Sequence, residues 1–322
     1  MPSGTRRFIL RRLVYVIPTL LGILTITFLL SRLSPGDPIR LVTFGSDLTS
    51  AEIEDIRRAY GLDRPLWEQY IRFLADAARL DFGQSILYHQ PATSLLFARL
   101  PNTVMLAVAG LFWQLAVGVP LGIVAALNRG KLVDQAVRFF STVGHAVPDF
   151  WMGLLLIILF AVHLRVMPSQ GVLTIGADQW DLADRLRHIL MPSIVLAFTG
   201  IALYARLLRT ETLDVIRQDY IRTAEAKGLP QRVVISVHAL RNALIPVVTA
   251  LGGVLAGLVS GALVIENVFT WPGLGQLTFQ SAIAKDYPVV MAGVFISSTL
   301  LVVSYLLRDV AYALVDPRIS HR

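Results

Sequence analysis

The chain has 322 residues, 55% of them hydrophobic and only 16% charged, with a mean hydropathy of +0.62. Soluble domains carry about 25% charged residues, so this composition excludes an ordinary soluble fold and favours a membrane protein. The formal charge of +7 would also suit nucleic-acid binding, but the basic residues flank apolar runs, which fits membrane orientation instead, and the lack of cysteine excludes disulfides and thiolate metal sites.

A bilayer core about 30 Å thick requires roughly 20 apolar residues in a helix. Six segments meet that demand: Leu13–Leu30, Val104–Leu127, Val133–His163, Ile189–Leu208, Pro246–Ile265 and Val289–Leu307. The sequence therefore predicts an all-α membrane protein with six transmembrane helices. The first follows "TRRFILRR", which superficially resembles a twin-arginine export signal. Its apolar run is longer than a signal core and no A-x-A-like site follows, so a retained span is expected.

The segment after the first span, residues 31–102, is too long for a bare loop and is expected to be helical and external. "TSAEIEDIRRAYG" opens with a capping box from Thr49 to Glu52 and stops at Gly61. "DRPLWEQYIRFLADAARLDFG" has Pro65 in its first turn and Leu66, Tyr70, Phe73, Leu74 and Ala77 at helical spacing. A small cap packed on the outer ends of the spans is the plain reading, and a docking surface for something arriving from outside is the sharper one.

The third run is interrupted by Asp134, Arg138, His145 and Asp149, leaving Phe150–Val162 as its clean core. His145 and Asp149 would share a helix face, but Pro148 between them favours a kink whose freed backbone they satisfy over a ligand pair. None of the six histidines forms a spaced zinc pair, no G-x-x-x-x-G-K-[ST] is present, and no nucleophile elbow or H-E-x-x-H helix occurs. An enzyme is therefore not expected, nor a metal or other cofactor in this chain.

The fifth run carries small residues, among them Gly252, Gly253, Gly257, Ser260 and Gly261. Small side chains let helices approach closely in lipid. They also leave room along a passage, so Gly253, Gly257, Ser260 and Gly261 are candidate passage-lining positions; the two roles are compatible.

Between the fourth and fifth runs lies "DYIRTAEAKGLP". Leu213, Ile216, Tyr220 and Ala224 fall at steps of three and four, which predicts an amphipathic helix ending at Gly228. Pro230 suits the start of a second helix with a stripe of Val233, Val237, Leu240 and Leu244. An interfacial pair resting on anionic lipid is one reading. The polar face mixes acidic and basic residues, which fits a docking knob for a partner better.

Lys and Arg in the short flanks set orientation. Arg6, Arg7, Arg11 and Arg12 precede the first span, Arg129, Lys131 and Arg138 follow the second, and seven basic residues from Arg206 to Arg241 lie at the end of the fourth and before the fifth. The short segments of the opposite side carry only Arg165, Arg185, Arg187 and Lys285. Both termini and the knob are therefore expected on the cytoplasmic side.

"YIRTAEAKGLPQRVVISVHALRNALIPVV" resembles the cytoplasmic loop of binding-protein-dependent ABC importer permeases. Arg222-Thr223-Ala224 stands where the general consensus has E-A-A, and His238-Ala239-Leu240-Arg241 where I-x-L-P would fall; both departures resemble the peptide-importer branch. "LSPGDP", "ENVFTWPGLGQL", "AIAKDYPVV" and "DPRIS" extend the likeness to the dipeptide/oligopeptide permease subunit over essentially the whole chain.

The resemblance implies a type I ABC importer permease fold: residues 1–30 as the cytoplasmic start and a peripheral first span, 31–102 external, 103–312 the permease core with a coupling loop at 209–245, and 313–322 a cytoplasmic tail. It implies a bacterial inner or plasma membrane and import of di- or oligopeptides. Implied partners are a second homologous permease, two cytoplasmic ATPase subunits holding ATP and Mg, and an external solute-binding protein, with no nucleic acid. Arg222, Thr223, Ala224, Glu225, Ala226, Lys227 and Gly228 would form the element seated in an ATPase groove. A nickel or glutathione importer shares the architecture; a secondary transporter or channel is the alternative of a different class, and would more often show ionisable groups within its spans.

Overall fold

The apolar runs become helices in the computed structural model, which describes residues 3–33, 49–59, 61–178, 180–247, 250 and 262–315. Among the described residues, the extended backbone is limited to an isolated bridge between Gln84 and Pro91. Val14–Leu33, Ala92–Leu127, Leu182–Ile216 and Tyr287–Leu307 are long and apolar enough to cross a membrane. A fifth crossing is obtained if Leu132–Ala146 and Asp149–His163, bent by 104° at Val147–Pro148, count as one. The expected fifth run lies mainly outside the described residues, with helix at 245–247 and 262–268.

The chain divides into two units: Val104–Trp271 with Met1–Ile9 and Val303–Arg322, and Leu10–Thr103 with Pro272–Val302. The second contains most of the first helix, α1 (Ser3–Leu33), then α2 (Ser50–Ala59) and α3 (Leu66–Ala77). The capping box forms as expected. Thr49 N–H donates to Glu52 Oε2 at 2.7 Å, and Glu52 N–H donates to Thr49 Oγ1 at 3.4 Å. Pro65 sits at the N-cap of α3 rather than inside it, with φ −57°.

The apolar stripe of α3 packs on α1. Phe28 lies 5.4 Å from the Tyr70 ring and 5.5 Å from that of Phe73, and Thr25 shares a 2.7 Å hydrogen bond with the Tyr70 hydroxyl. Ala77, Phe82, Leu274, Leu277, Tyr287 and Met291 join the same cluster, while Leu66 is left exposed. Aromatic pairs such as Phe28–Tyr70 and Phe28–Phe73 contribute about 0.5–1.5 kcal/mol each. The segment after the first span thus folds back on the first helix.

In the other unit, α4 (Ala92–Leu127), α5 (Leu132–Ala146), α6 (Asp149–Leu156, continued as a π-helical stretch to His163) and α7 (Leu182–Ile216) pack together from residue 104 onward. The apolar window of α7 is 67% buried, against 11% for that of α1, so α7 is the central helix of its unit. A Cβ on Gly122 of α4 would sit 2.7 Å from the Ala205 carbonyl oxygen, and one on Gly118 would sit 2.9 Å from that of Ile201. Backbones this close require glycine at both positions.

Three boundaries differ from expectation. α4 begins at Ala92, not at Val104, and runs through Pro101 as one helix of 36 residues. Asn102 Nδ2 donates to the Pro272 carbonyl at 2.8 Å and Thr103 Oγ1 accepts from Leu274 N–H at 2.8 Å, so tertiary bonds tie down a stretch whose proline signals a break. The third run is two helices meeting at a sharp bend. There His145 Nδ1 engages the Ser141 carbonyl at 2.9 Å and Asp149 Oδ1 accepts from Thr199 Oγ1 at 3.0 Å, so the two side chains serve the bend separately.

Candidate functional site

The third difference falls in the candidate site. The helix expected from Leu213 to Gly228 is interrupted: α7 ends at Ile216, Gln218 is extended (φ −73°, ψ 148°), and α8 spans Asp219–Ala226. No glycine or proline marks this turn, and a continuous stripe conceals it. Gln218 N–H closes on the Val215 carbonyl at 3.0 Å.

α8 is short and depends on its supports. Ile221 and Ala224 are buried, packed with Val234 and Ala239 and against Val215 and Ile216. Asp219 in the first turn complements the partial positive charge of the helix start. The C-terminal end is a Schellman motif: Gly228 N–H donates to Glu225 O at 2.9 Å and Leu229 N–H to Ala224 O at 3.4 Å. Gly228 takes the positive φ, +74°, that this turn needs and that β-carbons disfavour.

Pro230 then starts the supporting helix α9, made of Gln231–Val233, a π-helical stretch Val234–Ala239 and Leu240–Ala243. The expected stripe of Val233, Val237, Leu240 and Leu244 is not the buried one. Val234, Ala239, Ala243 and Val247 are buried, while Val233 and Val237 are exposed. The wider π turn inserts a step of five between Val234 and Ala239 and rotates the face by about one residue. Asn242 Nδ2 donates to the Tyr220 hydroxyl at 2.8 Å and ties α9 back to α8.

Of the seven candidate coupling residues, Arg222, Thr223, Glu225, Ala226, Lys227 and Gly228 are exposed, and Ala224 faces its own chain. The structure thus brings the seven together on one rigid turn-and-a-half but assigns Ala224 to internal packing. Arg222 and Asp219 lie 3.6 Å apart with both side chains largely exposed, so that pair adds little. A small helix with a mixed-charge face, held by an apolar base, can transmit a push without deforming. The candidate passage residues Gly253, Gly257, Ser260 and Gly261 lie outside the described residues. Gly118 and Gly122, whose G-x-x-x-G spacing is legible in the sequence, let α4 approach α7 closely.

Residues 118–321 match the family described as binding-protein-dependent transport system inner membrane component, and residues 5–107 match its N-terminal counterpart. The chain belongs to this family of membrane transport subunits. It is 40% identical to the oligopeptide transport system permease protein AppB of Bacillus subtilis (strain 168), over 98% of this chain and 99% of AppB. It is 35% identical to the dipeptide transport system permease protein DppB of Escherichia coli (strain K12), again over 98% and 99%. The glutathione transport system permease protein GsiC of Escherichia coli O1:K1 / APEC is 36% identical, with the same shares covered. These relatives are permeases, not enzymes.

Among solved structures, a chain of the MetNI methionine ABC transporter in an inward-facing conformation superposes with a TM-score of 0.51 at 22% identity, covering 71% of this chain and 97% of that one. The fold is that of a type I ABC importer permease, in an all-α protein of the inner membrane.

Proposed function

We propose that this chain is a transmembrane permease subunit of an ATP-driven importer that carries di- or oligopeptides into the cytoplasm. It pairs with a second, homologous permease and receives substrate from an external solute-binding protein. Two cytoplasmic ATPase subunits bind ATP and Mg and drive it through α8. Both termini and α8 are cytoplasmic, in keeping with the basic flanks. The observation that carries this reading is α8 itself: an exposed mixed-charge helix, too short to be stable alone, held rigid by an apolar base and a Schellman turn. Such a unit suits a groove in a partner that moves.

The relatives named for peptides favour a peptide substrate, and the similarity to a glutathione permease supports glutathione as a second reading. Reconstitution of the chain with its partner subunits and binding protein, followed by ATPase assays with dipeptides, longer peptides, glutathione and Ni²⁺, tests both. Peptide stimulation with matching uptake is expected. Transport of any solute in the absence of an ATPase would overturn the importer reading.

A further inference from the structure

We propose that a cavity within the unit formed by Leu10–Thr103 and Pro272–Val302 binds a short peptide by its two charged ends. The cavity has a volume of about 560 Å³, within the span of small-molecule sites, and all its walls belong to that unit. Phe73, Phe82, Ile86 and Met291 give it an apolar side, the last three of them buried. Arg32, near the end of α1, and Asp76, on α3, line the same cavity.

Arg32 is held unlike most arginines at the edge of a span, which extend their heads into water. It is only partly exposed, with its guanidinium carbon 5.4 Å from the centre of the Phe28 ring, and Phe28 stacks in turn on Phe73. Its Nε is enclosed and lacks a partner, so contact with a ligand falls to the two terminal nitrogens. Among the described residues no carboxylate pairs with Arg32 and no acceptor takes a hydrogen bond from it.

The other ionic groups on the wall are engaged. Arg64 and Arg72 share Glu68 Oε1, at 2.8 and 3.1 Å, Arg58 lies 3.5 Å from Asp55, and Asp81 accepts from Gly83 N–H at 2.9 Å. One cation and one anion are left over, because Asp76 makes no ion pair and no side-chain hydrogen bond among the described residues. Arg32 and Asp76 share the cavity yet do not pair with each other. A guanidinium matches a carboxylate, and a carboxylate accepts an ammonium. A free peptide carries one of each, and the apolar side receives a side chain between them. An inorganic anion would meet Arg32 but be repelled by Asp76, and an uncharged solute would leave both charges unmet. The choice of a peptide rests on the importer reading above; the demand for one positive and one negative end comes from the cavity.

The test uses the full chain in a non-ionic detergent, titrated calorimetrically with alanyl-phenylalanine, its N-acetyl form and its C-terminal amide. The free dipeptide is expected to bind, and each blocked form to bind on the order of ten-fold more weakly. Arg32→Gln should weaken the free dipeptide by a similar factor and remove the penalty for amidation while keeping that for acetylation. Asp76→Asn should do the converse. Neither side chain holds a bond within the described chain, so both variants should fold, and their melting temperatures check this. Should one fail to fold, the other decides with its own blocked form. Equal affinity for the free and blocked dipeptides would overturn the proposal. So would an amidation penalty that survives Arg32→Gln, or no binding of the free dipeptide to the folded chain. Binding is read on the isolated chain, so a failure of ATP-driven uptake bears on the importer reading alone.

Discussion

The buried carboxylate of Asp286 accepts the hydroxyl of Ser85 and the backbone N–H groups of Ile86 and Leu87, the last two at 3.1 and 3.3 Å. Ser85 in turn accepts from Tyr88 N–H at 2.8 Å, so one acid organises a whole turn some 200 residues away in sequence. Asp286→Ala would strand the buried donors of Ser85 and Ile86, each at about 1–3 kcal/mol. The expected result is a clearly lowered melting temperature for the purified chain, with a smaller drop for Asp286→Asn. An unchanged melting temperature in Asp286→Ala would remove the anchor role.

The glycines of α4 allow a matched comparison. Gly122→Leu would drive a side chain into the Ala205 carbonyl and the Leu208 Cβ, at 2.7 and 2.9 Å from its first carbon. Overpacking of this kind costs about 1–3 kcal/mol or more. Gly22 of α1 has nothing within 4 Å of an added Cβ. Gly22→Leu should therefore leave the yield of folded, monodisperse protein near wild type while Gly122→Leu reduces it; equal yields would show that the seam can open freely.

Gly228→Val forces a β-branched residue into the positive-φ position that closes α8, at about 1–2 kcal/mol of strain. Since nothing crowds that position, the effect should come from backbone conformation alone. Peptide-stimulated ATP hydrolysis and uptake are expected to fall together in the reconstituted complex. Gly228→Asn, which tolerates the left-handed region, should restore most of both. Failure of Asn to rescue would point to space rather than conformation. Ala224→Glu should unseat α8 from Val215, Ile216, Val234 and Ala239 and so lower the stability of the chain itself.

Orientation is open to chemical labelling because the chain has no cysteine of its own. Cysteine placed at the exposed Asp63 is expected to react with an impermeant thiol reagent in intact cells, and at the exposed Gln231 only after the membrane is breached. The opposite pattern would reverse the proposed topology.

The capping box of α2 gives a pH dependence. The Thr49 backbone N–H, and then its hydroxyl, hold the Glu52 carboxyl below its ordinary value. A depressed folded pKa means that this stabilisation is present above the unfolded value, about 4.3, and is lost as pH falls through the folded one. Amide exchange at residues 50–59 should therefore gain relative to a Glu52→Gln variant on acidification. Identical profiles in the two proteins would exclude the carboxylate as the cause.

The amino-acid sequence by itself determined the class of structure. Long apolar runs have no stable arrangement in water, and their length matches a bilayer, so spans such as Val14–Leu33 and Tyr287–Leu307 were legible from hydropathy. Local chemistry was equally readable where neighbours in sequence complete it: the Thr49–Glu52 box and the turn at Gly228 each close within a few residues. Tertiary structure decided what depends on partners far along the chain. Pro101 stays inside a helix whose next residues are bonded to Pro272 and Leu274, and Asp286 acquires its role only when Ser85 arrives. The π turn in α9 changed which face is buried, because a single wider turn shifts every later side chain without any mark in composition. That Ala224, on the apolar stripe of its helix, is covered by Val215, Ile216, Val234 and Ala239 of its own chain was decided in the same way. The 3.6-residue period tells which side of a helix is apolar, but only packing tells what covers it.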